Sequence, residues 1–333
     1  MRVGQNPAKS IEHLPPPARV TVALVTYIPF LSGYYAQSLD VFKVCLDSLW
    51  RSTPQPFDVL VFDNASCIEA RQYLEAQREA GRIQYLVLSD RNVGKGGAWN
   101  LIFQGAPGEI IAYADSDVQF LPGWLERSLE VLEAFPGAGM VTARPLRTPE
   151  VYHTSTLEWA QRTRGASIEQ GQFISWEVFK EHADSLGFSP QQVQELFETL
   201  KDWRIIYQGV TAFSGAAHFQ FTVRKESLRP YFPLHMDRPM GQVRLLDERL
   251  NENGLLRLCT AEALVRHLGN RLQLDGQELA GADPVGAGLR PAPFPTTRPI
   301  PYTARRLANL APVRRSLLWL YHQIFRLYFE GRL

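Results

Sequence analysis

A regular alternation between residues 18 and 143 limits most strongly how this chain can fold: short apolar or β-branched runs stop at polar residues, and each is followed by helical spacing. The run 20–26, Val-Thr-Val-Ala-Leu-Val-Thr, follows a proline cluster and reads as a first strand. Residues 27–35 contain Pro29 and Gly33 and read as a loop, and Leu39, Phe42, Leu46 and Leu49 place a helix over 39–50. A second strand is expected at 57–62, closed by Asp63-Asn64-Ala65-Ser66, then a helix at 70–80 that stops at Gly81, then a third strand at 83–88. The glycine-rich stretch 92–100 leads into a short helix ending at Gln104. The run 110–118, Ile-Ile-Ala-Tyr-Ala-Asp-Ser-Asp-Val, is bounded by Gly108 and Pro122 and reads as a buried strand with two aspartates at or just past its carboxyl end. A helix with Pro122 in its first position, running to Phe135, and a fifth strand at 137–143 complete the series. This alternation predicts an α/β fold, a mostly parallel sheet with helices on both faces.

After Arg144 the rhythm breaks. Residues 145–208 are polar, studded with aromatics and partly helical, for example over 190–203, and are expected to be an insertion that forms a lid or acceptor wall. Apolar, glycine-containing sequence returns at 210–223, followed by a charged helix at 240–253 and another strand within 255–265. Residues 280–301 read as a Pro/Gly-rich linker. The segment 302–333 reads as a basic, aromatic helix, with Leu317, Leu320, Tyr321, Ile324 and Leu327 at helical spacing and Arg305, Arg306, Arg314, Arg315 and Arg326 around them. Two readings of that C-terminal helix stay open: peripheral attachment to the inner face of a membrane, or packing on the domain or against a second copy as a homodimer. The first 17 residues are polar, proline-rich and expected to be flexible, with no apolar core of a signal peptide.

With 333 residues, 45% of them hydrophobic, the chain can bury a large core; its net charge of +1 gives no case for nucleic acid. Cys45, Cys67 and Cys259 fit neither a zinc nor a disulfide pattern, which points to a reducing, cytoplasmic compartment. No apolar run is long enough to span a bilayer.

In open α/β sheets, ligands bind beyond the carboxyl ends of the strands. Here those ends supply Thr26-Tyr27, Asp63-Asn64, Asn92 to Gly97 with Lys95, and Asp115-Ser116-Asp117. Two carboxylates so close together need a cation or strong donors, and hard oxygen ligands suit Mg2+ or Mn2+. Each motif alone has a plainer reading, as an Asx turn at Asp63 or a solvated turn at the aspartates. Neither Gly-x-Gly-x-x-Gly nor Gly-x-x-x-x-Gly-Lys-Ser/Thr is present, which disfavours a dinucleotide fold and a phosphate loop. Taken together, the four strand ends point to a nucleotide cleft.

Val25-Thr26-Tyr27, Phe62-Asp63-Asn64-Ala65-Ser66, Asn92-Val93-Gly94 with Asn100, and Asp115-Ser116-Asp117 resemble the successive signatures of family 2 inverting glycosyltransferases of the GT-A fold. The resemblance covers about residues 18–270. It implies a single nucleotide-sugar-binding domain followed by the C-terminal helical appendage, and a hexosyltransferase-like enzyme with a nucleotide-diphospho sugar donor and a bound Mn2+ or Mg2+. By that resemblance Thr26, Tyr27, Asp63, Asn92, Lys95, Asp115 and Ser116 line the nucleotide sugar, and Asp115, Asp117 and His267 hold the metal. Ser214, Gly215 and His218 are placed on the acceptor side, and the pair Asp247-Glu248 supplies the general base, with Asp247 ahead and the choice between them open. The acceptor it implies is a glycan or lipid-linked hydroxyl in polysaccharide or glycolipid synthesis. The chain departs from the family at Ile28-Pro29 and at Cys67-Ile68-Glu69. A sugar-1-phosphate nucleotidyltransferase would carry a Gly-rich, Arg-containing loop where Thr26-Tyr27-Ile28-Pro29 stands, and a non-catalytic binding module would not need Asp115, Asp117 and Asp247 together.

Overall fold

The computed structural model describes residues 6, 8, 11–236, 243–274, 277–278, 316 and 319. The chain divides into two units, 1–279 and 280–333, and the fold below belongs to the first. The expected linker 280–301 lies outside the described residues, and so does the expected helix 302–333 apart from Ser316 and Trp319, which are helical. Residues 11–17 are exposed and in no regular element.

The expected α/β architecture is what the chain adopts. Strand β1 (Val20–Thr26) lies between β2 (Phe57–Asn64) and β4 (Ile110–Asp115), with β3 (Tyr85–Ser89) outside β2, all parallel. Strands β1, β2 and β4 read as nearly unbroken apolar runs because both faces are covered, whereas β3 at the edge has no buried residue. Val22 and Leu24 join a core with Phe42, Leu46 and Leu49 of α1 (Ser38–Ser52) and Leu74 of α2 (Ile68–Glu79). Ala23, on the opposite face, joins a second core with Trp99 and Phe103 of α3 (Gly94–Gly105) and with Tyr113. Trp99 meets Tyr113 edge-on, with centroids 5.1 Å apart at 82°. The register Thr26 to Asp63 and Val25 to Asp115 brings the three carboxyl ends to one level.

Beyond β4 the sheet continues through β10 (Gln220–Arg224), β6 (Ala138–Thr142), β11 (Leu256–Thr260), β9 (Val210–Ser214), β8 (Asp202–Tyr207) and β7 (Ser167–Gly171), ten strands in all. Strands β7, β9 and β10 run opposite to the others, so the sheet is mostly parallel in direction but mixed in its pairings. The segment 145–208 therefore does more than cover the domain, because its strands β7 and β8 widen the sheet. It also carries α5 (Thr154–Arg162), α6 (Trp176–Ser185) and α7 (Pro190–Thr199).

Most expected boundaries shift by one or two residues. The helix after the aspartates, α4 (Trp124–Ala134), starts two residues after Pro122, because Gly123 takes the N-cap at φ +86°, a left-handed conformation that glycine adopts without strain. The helix expected over 190–203 stops at Thr199, and Trp203 lies in β8. The helix expected over 240–253 is described from Arg244 to Glu252, as α9. No helix among the described residues is long and apolar enough to cross a membrane.

Candidate active site

The aspartate run is broken in a way that shapes the site. Strand β4 ends at Asp115, and a separate strand β5 (Val118–Phe120) pairs antiparallel with β12 (Val265–His267). Ser116 and Asp117 form the link, and the register His267 to Val118 sets His267 beside Asp117. Their side chains meet with Nε2 3.3 Å from Oδ2. Burial alone would depress His267, but the hydrogen bond to Asp117 and the charges of Asp117 and Asp115 outweigh it and raise its pKa. Its Nδ1 lies 3.1 Å from Ser185 Oγ, whose own proton goes to the carbonyl of His182. Asp117 Oδ1 is buried with no hydrogen-bond partner.

Asp115 is engaged differently. Lys95 Nζ lies 2.7 Å from Oδ2, and Tyr113 donates its hydroxyl to Oδ1. Tyr113 and Asp115 are two apart on one strand and so share the face that α3 covers. Burial first, then the Asp115 charge, holds the Tyr113 phenol well above its usual range. Lys95 also donates to the carbonyl of His218 at 3.0 Å. The two aspartates thus point to different partners. Among the described residues no three His, Cys, Asp or Glu side chains converge as a metal site.

The charged helix closes the other side. Asp247 lies in the first turn of α9, where the helix dipole favours a carboxylate. Its Oδ2 is 3.0 Å from His218 Nδ1 and its Oδ1 is 3.0 Å from Arg257 Nη2. Both contacts are at hydrogen-bond distance but lack full hydrogen-bond alignment. We read them as electrostatic contacts. Arg257 is buried, and burial pushes its pKa down against the pull of Asp247. It is fixed by the carbonyls of Tyr152 and Ala216 at 2.9 and 2.6 Å. Glu248 is half-buried and has no ion pair among the described residues.

The remaining expected site residues are more enclosed. Asp63 is fully buried, paired with Arg71 Nε at 3.1 Å and accepting from Ser66 N, so the Asx-type turn is real. Asn92 Oδ1 accepts from Asn64 Nδ2 and Gly94 N, which clamps the start of α3. Ser214 Oγ is 2.7 Å from His153 Nδ1, a buried pair that fixes the end of β9. Gly215 has φ +122°, and a Cβ there would sit 2.4 Å from Thr148 Oγ1. Thr26 is buried and Tyr27 packs edge-on to Tyr35. Tyr27, Tyr34, Tyr35, Ser116, Asp117 and Asn270 line a cavity of about 140 Å³ at this edge. A larger cavity, about 890 Å³, lies at the opposite end of the strands, by Gly108, Glu109, Arg224 and Lys225.

Arg71, Arg257, Tyr113 and Ser185 belong to the site but were not expected. An arginine inside the apolar run Leu256-Arg257-Leu258 and a tyrosine two before Asp115 were visible signals; Ser185, 82 residues from its partner, offered none.

Burial, reinforced by the Arg144 and His267 charges, pushes His182 down to about 3, and burial also lowers His153. Such groups stay neutral in the fold while the unfolded chain takes up protons below 6.5. Their effect is therefore absent above that pH, and stability is lost as pH falls. His267 acts the other way: its contribution is present below 6.5 and lost as pH rises through its raised folded value. The melting temperature is expected to drop between about pH 6.5 and pH 4.5, and His182→Phe to flatten that limb. An acid limb unchanged in the variant overturns the attribution.

The fold places the chain among open α/β proteins with a mostly parallel sheet flanked by helices. The family model described as Glycosyl transferase family 2 matches residues 34–197 and bears out the resemblance read from the motifs. That span includes Asp63, Lys95, Asp115 and Asp117 and stops before His218, Asp247 and His267. An uncharacterized glycosyltransferase from Nostoc sp. is 26% identical over 130 residues, 39% of this chain and 37% of the relative. Among solved structures, S. aureus TarS is 14% identical over 75% of this chain and 60% of that chain, with a TM-score of 0.45. The mannosyltransferase PcManGT from Pyrobaculum calidifontis, in complex with GDP-Man and Mn2+, is 17% identical over 75% of this chain and 59% of that one, with a TM-score of 0.42.

Proposed function

We propose that the chain transfers a sugar from a nucleotide-diphospho sugar to a hydroxyl acceptor, with inversion. One observation carries this reading. A continuous run of contacts, Tyr113 to Asp115 to Lys95 to His218 to Asp247, joins the aspartate motif to a buried acid on another element. Single displacement needs a group that holds the leaving diphosphate and a second that takes the acceptor's proton, both fixed about one reacting carbon.

Asp117 and His267 fit a divalent ion. A buried carboxylate oxygen without a partner and an imidazole nitrogen beside it suit Mn2+ or Mg2+. Two protein ligands leave positions for diphosphate oxygens and water, the usual arrangement for Mg2+ at phosphates. Bound there, the ion neutralises charge on the departing diphosphate. Asp115 is already held by Lys95 and Tyr113, so Asp117 and His267 are the residues that would hold the ion.

Asp117→Ala is expected to fold and to lose at least about 100-fold in Mn2+-dependent affinity for UDP or GDP, since even residues behind metal ligands cost 10–100-fold. Calorimetric titration of both nucleotides with Mn2+ tests this, and unchanged affinity rules the metal role out.

The acceptor class we favour is a glycan or lipid-linked hydroxyl in polysaccharide or glycolipid synthesis. The composition of residues 302–333 supports attachment to the inner face of a membrane, with arginines at headgroups and aromatics at the boundary. At low salt the full chain should float with anionic liposomes and a chain ending at Arg298 should not. Equal flotation sinks the membrane reading and leaves packing or homodimer formation.

A further inference from the structure

We propose that Ser185, the last residue of α6, sets the pose of His267 for a cation, and that Arg144 holds α6 against the strand that carries His267; this rests on the metal reading above. Both are positioning residues. The segment 145–208 thereby gains a task on the donor side. Counting hydrogens carries the argument. Ser185 Oγ has one hydrogen, and it goes to the carbonyl of His182 at 2.6 Å. Towards His267 Nδ1, 3.1 Å away, the oxygen can therefore only accept. A hydrogen fixed on Nδ1 leaves the Nε2 lone pair of the neutral ring for a cation, on the side where Asp117 lies. Metal-binding histidines almost always donate their other N–H to such an acceptor.

The surroundings keep the serine and the ring in register. The Arg144 side chain is fully buried, and its guanidinium donates to the carbonyl of Val265 in β12 at 3.0 Å and to that of Val178 in α6. One rigid fork thus bonds the main chain of the strand that carries His267 and of the helix that carries Ser185. Glu181 of α6 adds to the clamp, 3.5 Å from Arg144 Nη2 and 3.2 Å from Arg266 Nε. The imidazole itself is walled by Phe219, with centroids 5.4 Å apart at 74°, and by His182, 6.3 Å apart at 82°. Beyond the ring, Leu268 N donates to the carbonyl of Asp117 at 2.8 Å, which ties the end of β12 to the aspartate link.

Two acceptors compete for the ring hydrogen of a neutral His267. Asp117 Oδ2, 3.3 Å from Nε2, draws it to the nitrogen that a cation needs bare. Ser185 Oγ draws it to the far nitrogen. Without the hydroxyl, Nδ1 has no acceptor among the described residues, and the carboxylate decides the tautomer. The serine therefore keeps the lone pair available, and the Arg144 clamp keeps the serine within reach.

The test uses the full chain and titrates UDP and GDP by calorimetry, once with Mn2+ and once with the metal chelated. Ser185→Ala is expected to lose about 10–100-fold in Mn2+-dependent affinity, the cost of removing a partner behind a metal ligand, with the metal-free affinity unchanged. Ser185→Thr keeps the hydroxyl and should keep the affinity. Nitrogen-15 spectra of the wild-type chain at alkaline pH, where the His267 ring is neutral, should place its hydrogen on Nδ1, a readout that needs no variant to fold. His267→Ala is the control and should lose the Mn2+ dependence itself. Wild-type affinity in Ser185→Ala beside a weakened His267→Ala overturns the proposal and leaves the metal reading standing. A loss of equal size with and without Mn2+, a Ser185→Thr chain as weak as Ser185→Ala, or a ring hydrogen on Nε2 does the same. Unchanged Mn2+-dependent affinity in His267→Ala overturns the metal role of His267 and this assignment with it.

Discussion

Asp247→Asn is expected to lower turnover by about 10²–10⁴-fold while leaving nucleotide affinity nearly intact, because an acid–base group acts in the transition state rather than in donor binding. The substitution keeps the shape of the side chain and removes its charge. His218 then loses the carboxylate that lies 3.0 Å from its Nδ1. Arg257, 2% exposed on its side chain, loses its only charged partner among the described residues and keeps only the carbonyls of Tyr152 and Ala216. Removing one partner of a buried pair costs about 3–5 kcal/mol, so a matching loss of stability should accompany the loss of turnover. Thermal unfolding of the same preparation separates the two effects. Glu248→Gln, at a half-buried position, should change little. If Glu248→Gln loses as much turnover and Asp247→Asn stays active, the role passes to Glu248.

The parallel half of the sheet was legible because β1, β2 and β4 are apolar runs largely buried on both faces and end in polar residues. The bounds of β1 agree at both ends, and α1 extends the expected helix by one residue at its start and two at its end. The same logic put Asp63, Lys95, Asp115 and Asp117 on one edge. In the other half β6 and β11 were expected as strands, but β7 and β8 were not legible. Strand β7, Ser167–Gly171, has no buried residue and no apolar alternation, so it has no pattern to detect. Asp202-Trp203 begin a strand directly after a helix, without a glycine or proline between them. Within the site, the resemblance assigned residues to roles, but it could not show which partners they already hold. Asp115 taken by Lys95, 20 residues away, and Ser214 taken by His153, 61 residues away, are pairings that the chain's local pattern does not show. Those pairings separate Asp117 from Asp115 and His218 from Ser214, and they depend on topology that local pattern does not carry.

Asp202→Ala is expected to cost about 3–5 kcal/mol, the range for breaking a buried ion pair. Asp202 and Arg147 are each 1% exposed on their side chains. The carboxylate also accepts from the backbone of Phe173 and, at 2.8 Å, of Ile174. The guanidinium lies over the rings of Phe179 and Phe197, 4.9 and 4.5 Å from their centroids, and donates to the carbonyl of Phe197. Removing the carboxylate therefore strands a buried cation and two backbone donors at once. The melting temperature should fall by on the order of 10 °C, at two to four degrees per kcal/mol for a domain this large. Glu169→Ala, which breaks the more exposed pair with Arg204, is the control and should cost less than about 1 kcal/mol. The double variant Arg147→Met with Asp202→Leu should recover part of the loss, since it removes the charge instead of stranding it. The pair also ties β8 to α6 and α7, and α6 ends at Ser185, the residue that sets the far nitrogen of His267. Asp202→Ala should therefore weaken Mn2+-dependent nucleotide binding below its melting point, although it touches neither metal nor nucleotide. A loss no larger than the Glu169→Ala control shows that the pair does not hold this segment. Unchanged Mn2+-dependent affinity in a destabilised chain uncouples the segment from His267.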